Sequence, residues 1–260
     1  MNILVLVRMV PDVVEELEIA PNGKSLDTGY LRRILSESDN HALEEAILLK
    51  ERHGGQVTVV APEAPEVDEA LFSALAKGAG RAIKITGLEE SLSTRATTAR
   101  LAGALGDAGL LSADLILTGV QAIDDLDGLI APLLAFHLGL PNLGIVTRLV
   151  VDESRGAVIA TREFPSGVRG EYEISLPAVL GIQAAEKPPR YVPVSKVRAA
   201  MKTLKLESAG SPPTRGVEPP TVEVLEMKKC EPAGRAEMLE GAPEQVSERL
   251  VEILAARGVL

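Results

Sequence analysis

Three carboxylates stand close together in the stretch LTGVQAIDDLDGLIAP, at Asp124, Asp125 and Asp127. The apolar residues before them predict a strand, and the residues after them predict a helix. Carboxylates in such a loop can cap the helix, bind main-chain N–H groups of the loop, or accept hydrogen bonds from ribose hydroxyls. A solvated turn with one capping Asp explains the same pattern. A Mg²⁺ or Ca²⁺ site built from three acids is a third interpretation, without EF-hand spacing or a P-loop to accompany it.

The same loop has features that suit a bound anion or nucleotide. Gly119 and Gly128 let the backbone come close to a ligand, and a helix beginning near Leu129 offers N–H donors at the positive end of its dipole. In an open parallel sheet, ligands bind outside the carboxyl ends of the strands, where the connections diverge. The loop is expected at such an end, so we interpret it as one wall of a ligand site.

Other catalytic patterns are weak. No Ser-His-Asp order and no GxSxG elbow appear in the sequence. His137 falls on a predicted helix, where packing or solvent exposure explains it better than a ligand role. The sequence therefore favours a binding protein over a hydrolase of these types.

Strand and helix patterns alternate through the first half of the chain. Apolar runs predict strands at 3–7, 56–62, 81–86 and 113–120, and helical spacing predicts helices after residue 41 and at 67–80, 94–109 and 129–138. This alternation predicts an α/β fold with a doubly wound, mostly parallel sheet. From Ile145 the strand-like stretches are joined by turns, which predicts an antiparallel addition to that sheet.

The C-terminal part differs in texture. After residue 185 the chain is rich in proline and charge, with the basic stretch KVRAAMKTLK at 196–205, and it has too few apolar residues for a core of its own. An amphipathic helix follows, with Val246, Leu250, Ile253 and Leu254 on one face. We predict an α/β domain at 1–185 and, at 186–260, an extended arm and terminal helix that pack on a partner.

Charge and cysteine usage exclude several functions. The 260 residues carry a net charge of −10, so a sequence-independent grip on nucleic acid or anionic lipid is not expected. Cys230 is the single cysteine, which excludes an internal disulfide and a thiolate set for zinc or an iron–sulfur cluster. The apolar start breaks at Pro11, too early to span a bilayer. These features predict a cytoplasmic protein without stable membrane insertion.

Several segments together resemble the beta subunit of an electron transfer flavoprotein. The resemblance rests on six stretches in order: ILVLVRMVPD, ALEEAILLKE, ALAKGAGRAIKI, DLILTGVQAIDD, LPAVLGI with PPRYVPVSKVRAAMK, and GAPEQVSERLVEILAARGVL. They cover nearly the whole chain. The resemblance implies a fold related to the adenine-nucleotide alpha hydrolases and an electron carrier rather than an enzyme.

The resemblance also implies cofactors and partners. It implies a heterodimer in which the alpha subunit holds FAD at the shared interface, while this subunit holds AMP or a second FAD. Electrons would come from flavin-dependent dehydrogenases, such as acyl-CoA dehydrogenases, and pass to a quinone reductase or a similar acceptor. Val194 would be an apolar anchor for a partner dehydrogenase, and the basic stretch after it would lie in the docking surface.

The nucleotide contacts carried over from the family fall at the predicted strand ends. They are Leu6, Ser36, Glu37, Ser38, Asp39, Pro62, Gly119, Val120, Gln121, Ala122, Ile123, Asp124, Asp125, Leu126, Asp127, Gly128, Leu129 and Ile130. Main-chain donors of 119–130 would hold the nucleotide, with Asp124 and Asp127 ordering the loop or binding ribose. This chain has Ser36-Glu37 where the family usually shows Asn-Pro, and Leu129 to Ala131 where it shows Gln-x-Gly.

Two other functions fit parts of the pattern. A stand-alone adenine-nucleotide sensor of the stress-protein type shares the doubly wound sheet but does not need the proline-rich arm. A metal-dependent hydrolase would use the three acids of the loop.

Overall fold

The computed structural model describes residues 1–88, 93–211, 224–230, 234, 236 and 238–259. The first half contains the strands β1 (Asn2–Leu6), β2 (Met9–Pro11), β3 (Arg33–Leu35), β4 (Gln56–Pro62), β5 (Arg81–Thr86) and β6 (Leu115–Gly119). Its helices are α1 (Glu37–His53), α2 (Val67–Lys77), α3 (Thr94–Asp107) and α4 (Ile130–Leu138). The predicted alternation of strand and helix is confirmed.

The second half adds strands β7 (Asn142–Asp152), β8 (Ala157–Glu163), β9 (Arg169–Ser175), β10 (Ala178–Ile182) and β11 (Glu207–Gly210), and helices α5 (Val194–Thr203) and α6 (Pro243–Ala256). A 3₁₀ turn at Pro165–Gly167 connects β8 to β9. The central sheet has the order β11-β5-β4-β1-β6-β10-β7-β8-β9. All of its pairings are parallel except β7 with β8 and β8 with β9, as the predicted antiparallel addition requires.

The central strands β1, β4, β6 and β10 are covered on both faces, as their unbroken apolar runs predict. One face packs against α1 and α2, where Ile3 and Val5 of β1 meet Leu43, Ile47 and Leu71. The other face packs against α3 and α4. There Leu4 and Leu6 of β1 meet Leu101, Leu105 and Leu134. Alternate side chains of one strand therefore fill two separate cores in a three-layer α/β fold.

A small antiparallel sheet between β1 and α1 was missed by the sequence analysis. Strands β2 and β3 pair from Met9 with Leu35 to Pro11 with Arg33. Each has three residues, too few for alternation of apolar and polar residues to reveal a strand.

The first part of the predicted arm lies on the chain's own sheet. Helix α5 buries Val197 and Ala200 and contacts α2, and β11 pairs in parallel with β5. Residues 212–223 of the predicted arm lie outside the described residues. Helix α6 forms as predicted, and none of its residues is buried. The packing of 186–260 on a partner stays a prediction.

Within the described part of the chain, no helix combines the length and apolarity needed to cross a membrane.

Candidate functional site

The strand order places a topological switch point at β1 and β6. From β1 the chain crosses through α1 to β4 on one side, and from β6 it crosses through α4 to β7 on the other side of that pair. The connections leaving the two strands therefore diverge at their carboxyl ends, which is where open α/β sheets bind ligands. The acidic loop after Gly119 lies at this point.

Asp39 holds the carboxyl ends of β1 and β6 together at this crevice. Its carboxylate accepts the main-chain N–H of Gly119 at 2.7 Å and that of Arg8 at 2.9 Å. The side chain is 1% exposed. Burial raises the pKa of Asp39, against the opposing effects of the Arg8 guanidinium and the two N–H donors. Asp39 therefore has a structural role at the base of the crevice.

Arg8 connects Asp39 to the acidic loop. Its Nη1 donates to Asp125 Oδ2 at 3.1 Å, and its Nε lies 3.7 Å from Asp39 Oδ2. Ser38 adds a further link, since its Oγ donates to the carbonyl of Gln121 at 2.8 Å. The first turn of α1 and the β6 loop are thus joined across the crevice.

The acids of the loop bind the main-chain donors of the same loop. Asp125 Oδ1 accepts the N–H groups of Asp127 at 3.2 Å and Gly128 at 3.1 Å, and Asp127 Oδ1 accepts that of Leu129 at 3.3 Å. This is the loop-ordering role considered for these residues. It also means that three N–H donors expected to face a phosphate are already paired with carboxylates of the chain.

The three loop acids differ in proton affinity. Burial would raise the pKa of Asp125, but hydrogen bonds with Asp127, the Gly128 N–H and Arg8 together lower it. Burial and the hydrogen bond with Asp125 raise the pKa of Asp127. Burial also raises the pKa of Asp124, against the nearby Arg8 charge. When the Asp125–Asp127 pair takes up a proton, Asp127 therefore receives it first.

A cavity of about 460 Å³ opens on one side of the Arg8–Asp125 pair. Its walls include Arg8, Arg33, Pro62, Glu63, Ser93, Thr94, Thr97, Ile130 and residues 124–127. The volume suits a small-molecule ligand. The wall combines carboxylates, which accept hydrogen bonds, with hydroxyls and two arginines, which donate them. This combination of polar groups fits the ribose and base of a nucleoside.

A second cavity of about 620 Å³ opens on the other side of the pair. It lies between the β2–β3 sheet, the first turn of α1 and the start of the loop after β6. Its lining includes Val10, Val13, Ile34, Glu37, His41, Gln183 and residues 120–123. Ile123 is 69% exposed and Val13 is 55% exposed at this surface. Asp125 lines both cavities, so the two share a wall.

The predicted nucleotide contacts divide between these cavities. Pro62, Asp124, Asp125, Leu126, Asp127 and Ile130 line the first. Ser36, Glu37, Ser38, Val120, Gln121, Ala122, Ile123 and Asp125 line the second. Leu6, Asp39, Gly119, Gly128 and Leu129 line neither. Leu6 and Ile130 are core residues. The assignment of all the residues in this set as nucleotide contacts stays a prediction.

The sequence analysis missed two groups of lining residues. Arg8 and Arg33 are the cationic groups of the first cavity, and Ser93, Thr94 and Thr97 bring hydroxyls from the start of α3. Arg8 could have been noticed, because a charged residue directly after an apolar strand marks a strand end. Ser93, directly before α3, gives a similar signal, since it is the N-cap of the helix and accepts the Ala96 N–H.

Ser36 and Asp39 lie at the start of α1. Ser36 is its N-cap but makes no side-chain cap hydrogen bond. Asp39 binds the amides of other segments. Among the described residues, no group of three or more His, Cys, Asp or Glu is arranged to hold a metal ion.

The predicted docking residue lies at the surface, away from both cavities. Val194 is the first residue of α5 and is 59% exposed, and Tyr191 is 83% exposed. Arg190, the residue before Tyr191, is fixed to α1 because its side chain binds Glu44 and Glu51. The exposed side chains of Tyr191 and Val194 therefore follow a residue that is fixed to α1.

The fold and the crevice define a doubly wound α/β protein with a candidate ligand site at the carboxyl edge of a mostly parallel sheet. A sequence profile described as "Electron transfer flavoprotein domain" matches residues 25–220. The chain belongs to the electron transfer flavoprotein family, as a beta subunit, and is a component of electron transport. This confirms the resemblance and does not favour a stand-alone sensor.

Individual relatives agree with this assignment. The electron transfer flavoprotein subunit beta of Clostridium acetobutylicum is 33% identical over 216 residues, covering 80% of this chain and 79% of its own. That of Thermoanaerobacterium thermosaccharolyticum is 30% identical over 269 residues, covering both chains completely. That of Methylophilus methylotrophus is 29% identical over 262 residues, or 98% of each chain.

Proposed function

We propose that this chain is the small subunit of a heterodimer that carries electrons from flavin-dependent dehydrogenases to a quinone reductase or a similar acceptor. In this proposal the alpha subunit holds most of the FAD, and the chain by itself converts no substrate. The observation that carries the proposal is the crevice at the β1–β6 switch point, with two cavities on either side of Arg8–Asp125, in a chain of this family.

The composition supports a carrier that depends on a bound cofactor. The sequence has no Trp, one Cys and three Tyr, so no covalent part of it is a good store for electrons at ordinary potentials. FAD supplies the one- and two-electron chemistry that such a chain lacks. The chain's own contribution would be to shape the flavin surroundings and to dock partners.

We assign the first cavity to the nucleotide of this subunit, AMP or a second FAD. Asp124 and Asp127 lie where they can accept hydrogen bonds from ribose hydroxyls, and Thr97 can donate to a phosphate. The Thr94 hydroxyl already binds the Asp127 carboxylate. A phosphate at the start of α4 would meet the carboxylates of Asp125 and Asp127, which already occupy the N–H donors there. The phosphate would therefore lie on the Thr97 and arginine side of the cavity.

We assign the second cavity to the interface with the alpha subunit. Its lining exposes Val13 and Ile123, at 55% and 69%. Apolar side chains exposed together around a cavity are typical of surfaces that a partner covers. The FAD shared between the subunits would be partly buried there, beside Gln121 and His41.

The remaining roles follow from the C-terminal residues. Val194 and Tyr191 would anchor a dehydrogenase, and the apolar side of α6 would pack on the alpha subunit. A cytoplasmic location is proposed from the single cysteine.

The test is co-expression of this chain with a candidate alpha subunit. The proposal predicts a yellow one-to-one complex on size exclusion, with FAD and a second nucleotide released by denaturation and separated by chromatography. A colourless chain that elutes alone, with every candidate alpha subunit correctly folded, would contradict it. AMP and FAD in the released fraction distinguish the two nucleotide alternatives.

A further inference from the structure

A cluster of hydrogen bonds fixes residues 185–190 to the middle of α1. Arg190 is at its centre. Its main-chain N–H donates to Glu44 Oε2 at 2.9 Å, and its Nε donates to Glu44 Oε1 at 2.9 Å. Its Nη1 donates to Glu51 Oε1 at 2.6 Å, and its Nη2 donates to Glu51 Oε2 at 3.2 Å. One guanidinium therefore joins two carboxylates that lie two turns apart on the same face of α1.

The residues just before Arg190 are held by the same helix. The Ala185 N–H donates to His41 Nδ1 at 3.1 Å, and the Glu186 N–H donates to Glu45 Oε2 at 2.9 Å. Arg52 also pairs with the Glu186 carboxylate. The main-chain amides at both ends of this short segment are thus bound to side chains of α1, so the segment has a defined path.

Glu44 is the buried member of the cluster. Its side chain is 3% exposed, against 31% for Arg190 and 53% for Glu51. A buried carboxylate needs a matching cation and several hydrogen bonds, and Arg190 supplies both. The fork of the guanidinium sets a direction as well as a distance, which a lysine cannot do.

Residues 191–194, which we call the docking segment, follow this cluster directly. Tyr191 and Val194 follow Arg190 by one and four residues, and α5 then packs Val197 and Ala200 towards α2. The docking segment is therefore fixed at both ends, by Arg190 before it and by α5 after it. Its main chain is therefore anchored on both sides while the partner is absent.

We propose that Arg190, with Glu44 and Glu51, is a positioning residue for the docking of electron donors. The cluster orders residues 190–194 before the encounter, so that binding does not have to bear the entropy cost of ordering them. The surface offered is apolar at Tyr191 and Val194 and cationic at Lys196 and Arg198. It fits a partner with an apolar pocket and an acidic rim. This inference rests on the proposed docking role of Val194.

The experiment uses the complete heterodimer and an acyl-CoA dehydrogenase reduced by its acyl-CoA substrate as the donor. The variants are Arg190→Lys, which keeps the charge and loses the fork, and Glu51→Gln on the exposed side of the cluster. Val194→Asp tests the docking segment itself. Glu173→Gln is the matched control, because Glu173 pairs with Arg155 at similar exposure on β9. Flavin content and reduction by dithionite verify that each complex is intact.

Arg190→Lys and Val194→Asp are each expected to raise the KM for the donor by about fivefold or more with kcat unchanged, and Glu51→Gln by less. In Arg190→Lys, hydrogen exchange of the 185–194 amides is expected to rise without any change in β1 or β6. Glu173→Gln should match the wild type.

Each other outcome contradicts a specific statement. A raised KM in Val194→Asp with normal KM and exchange in Arg190→Lys would overturn the positioning role and leave the docking role intact. No saturable reduction of the wild type, or no effect of Val194→Asp, would overturn the docking role and the positioning role with it. An equal fall of kcat in all variants, including Glu173→Gln, would indicate a structural effect and also contradict the proposal.

Discussion

The carboxylate of Asp39 accepts the main-chain N–H of Gly119 at 2.7 Å, across 80 residues of sequence. A Cβ added at Gly119 would lie 2.3 Å from Ser38 Oγ, 2.4 Å from Asp39 Oδ1 and 2.6 Å from Asp39 N. The start of α1 therefore approaches the end of β6 more closely than any side chain permits. Gly119 is required for this approach and not for an unusual backbone conformation.

Gly119→Ala is expected to destabilise the chain by about 2–3 kcal/mol, because the main chain of α1 must move to admit the methyl group. The free energy of unfolding in urea is the measurement. Gly144→Ala is the control, since a Cβ there has no atom within 4 Å. Equal unfolding free energies for the two variants would show that the contact is not tight.

Asp127→Asn is expected to weaken AMP binding to the complex about fivefold at pH 8, because a neutral amide accepts a ribose hydroxyl more weakly than a carboxylate does. The Asn side-chain oxygen can still accept the Leu129 N–H, so the loop keeps its order. Calorimetric titration of the nucleotide-depleted complex measures the affinity. Asp107→Asn, at the far end of α3, is the control. Tighter binding in Asp127→Asn would contradict the ribose contact and would instead place the phosphate close to this carboxylate.

Glu45 provides a prediction about pH. Burial raises the pKa of Glu45 above its ordinary value of 4.5, so the folded chain keeps a proton that the unfolded chain has released. Stability contributed by this group is therefore lost as the pH rises from about 4.5 through the raised pKa. In Glu45→Gln this slope should disappear, so the variant should be more stable than the wild type at pH 8.

Urea midpoints of wild type and Glu45→Gln, measured from pH 4.5 to 8, test this difference. The wild type retains slopes from Asp39, Asp124 and Asp127, whose pKa values are also raised by burial, so the comparison is between the two curves. Parallel curves would mean that Glu45 does not titrate in this window.

Helix α6 is expected to contribute to assembly and not to the fold of this chain. Leu250 is 46% exposed and Leu254 is 37% exposed on its apolar side. Deleting residues 241–260 should leave the unfolding midpoint of the chain unchanged and weaken association with the alpha subunit at least tenfold. Glu248→Gln, also on α6, is the control. A truncated chain with a lowered midpoint would place α6 in the fold.

The fold was predictable where strands are buried on both faces. Segments such as 3–7 and 56–62 are continuously apolar, and the helices between them end at glycines, so their order and type follow from local pattern. Strands β2, β3 and β11 were missed because they have three or four residues. Strand β11, with the sequence ESAG, is recognisable only from its pairing with β5.

The site was predictable as a location and only partly as a set of contacts. The acidic loop follows β6, and sheet geometry alone places such a loop at the crevice. The pairing of Arg8 with Asp125 joins residues 117 positions apart, and nothing in the local sequence of either residue indicates it. Asp125 and Asp127 bind N–H groups of their own loop, which was one of several possible roles for these carboxylates. The local sequence could not decide between that role and the others.

The most direct test of the account is anaerobic reduction of the heterodimer by a flavin dehydrogenase in a stopped-flow spectrophotometer. The account predicts that the visible flavin absorbance of the complex bleaches at a rate that saturates with donor, and that this chain alone consumes no acyl-CoA. Flavin that stays oxidised with every flavin dehydrogenase offered, in a correctly assembled complex, would contradict the electron-carrier function.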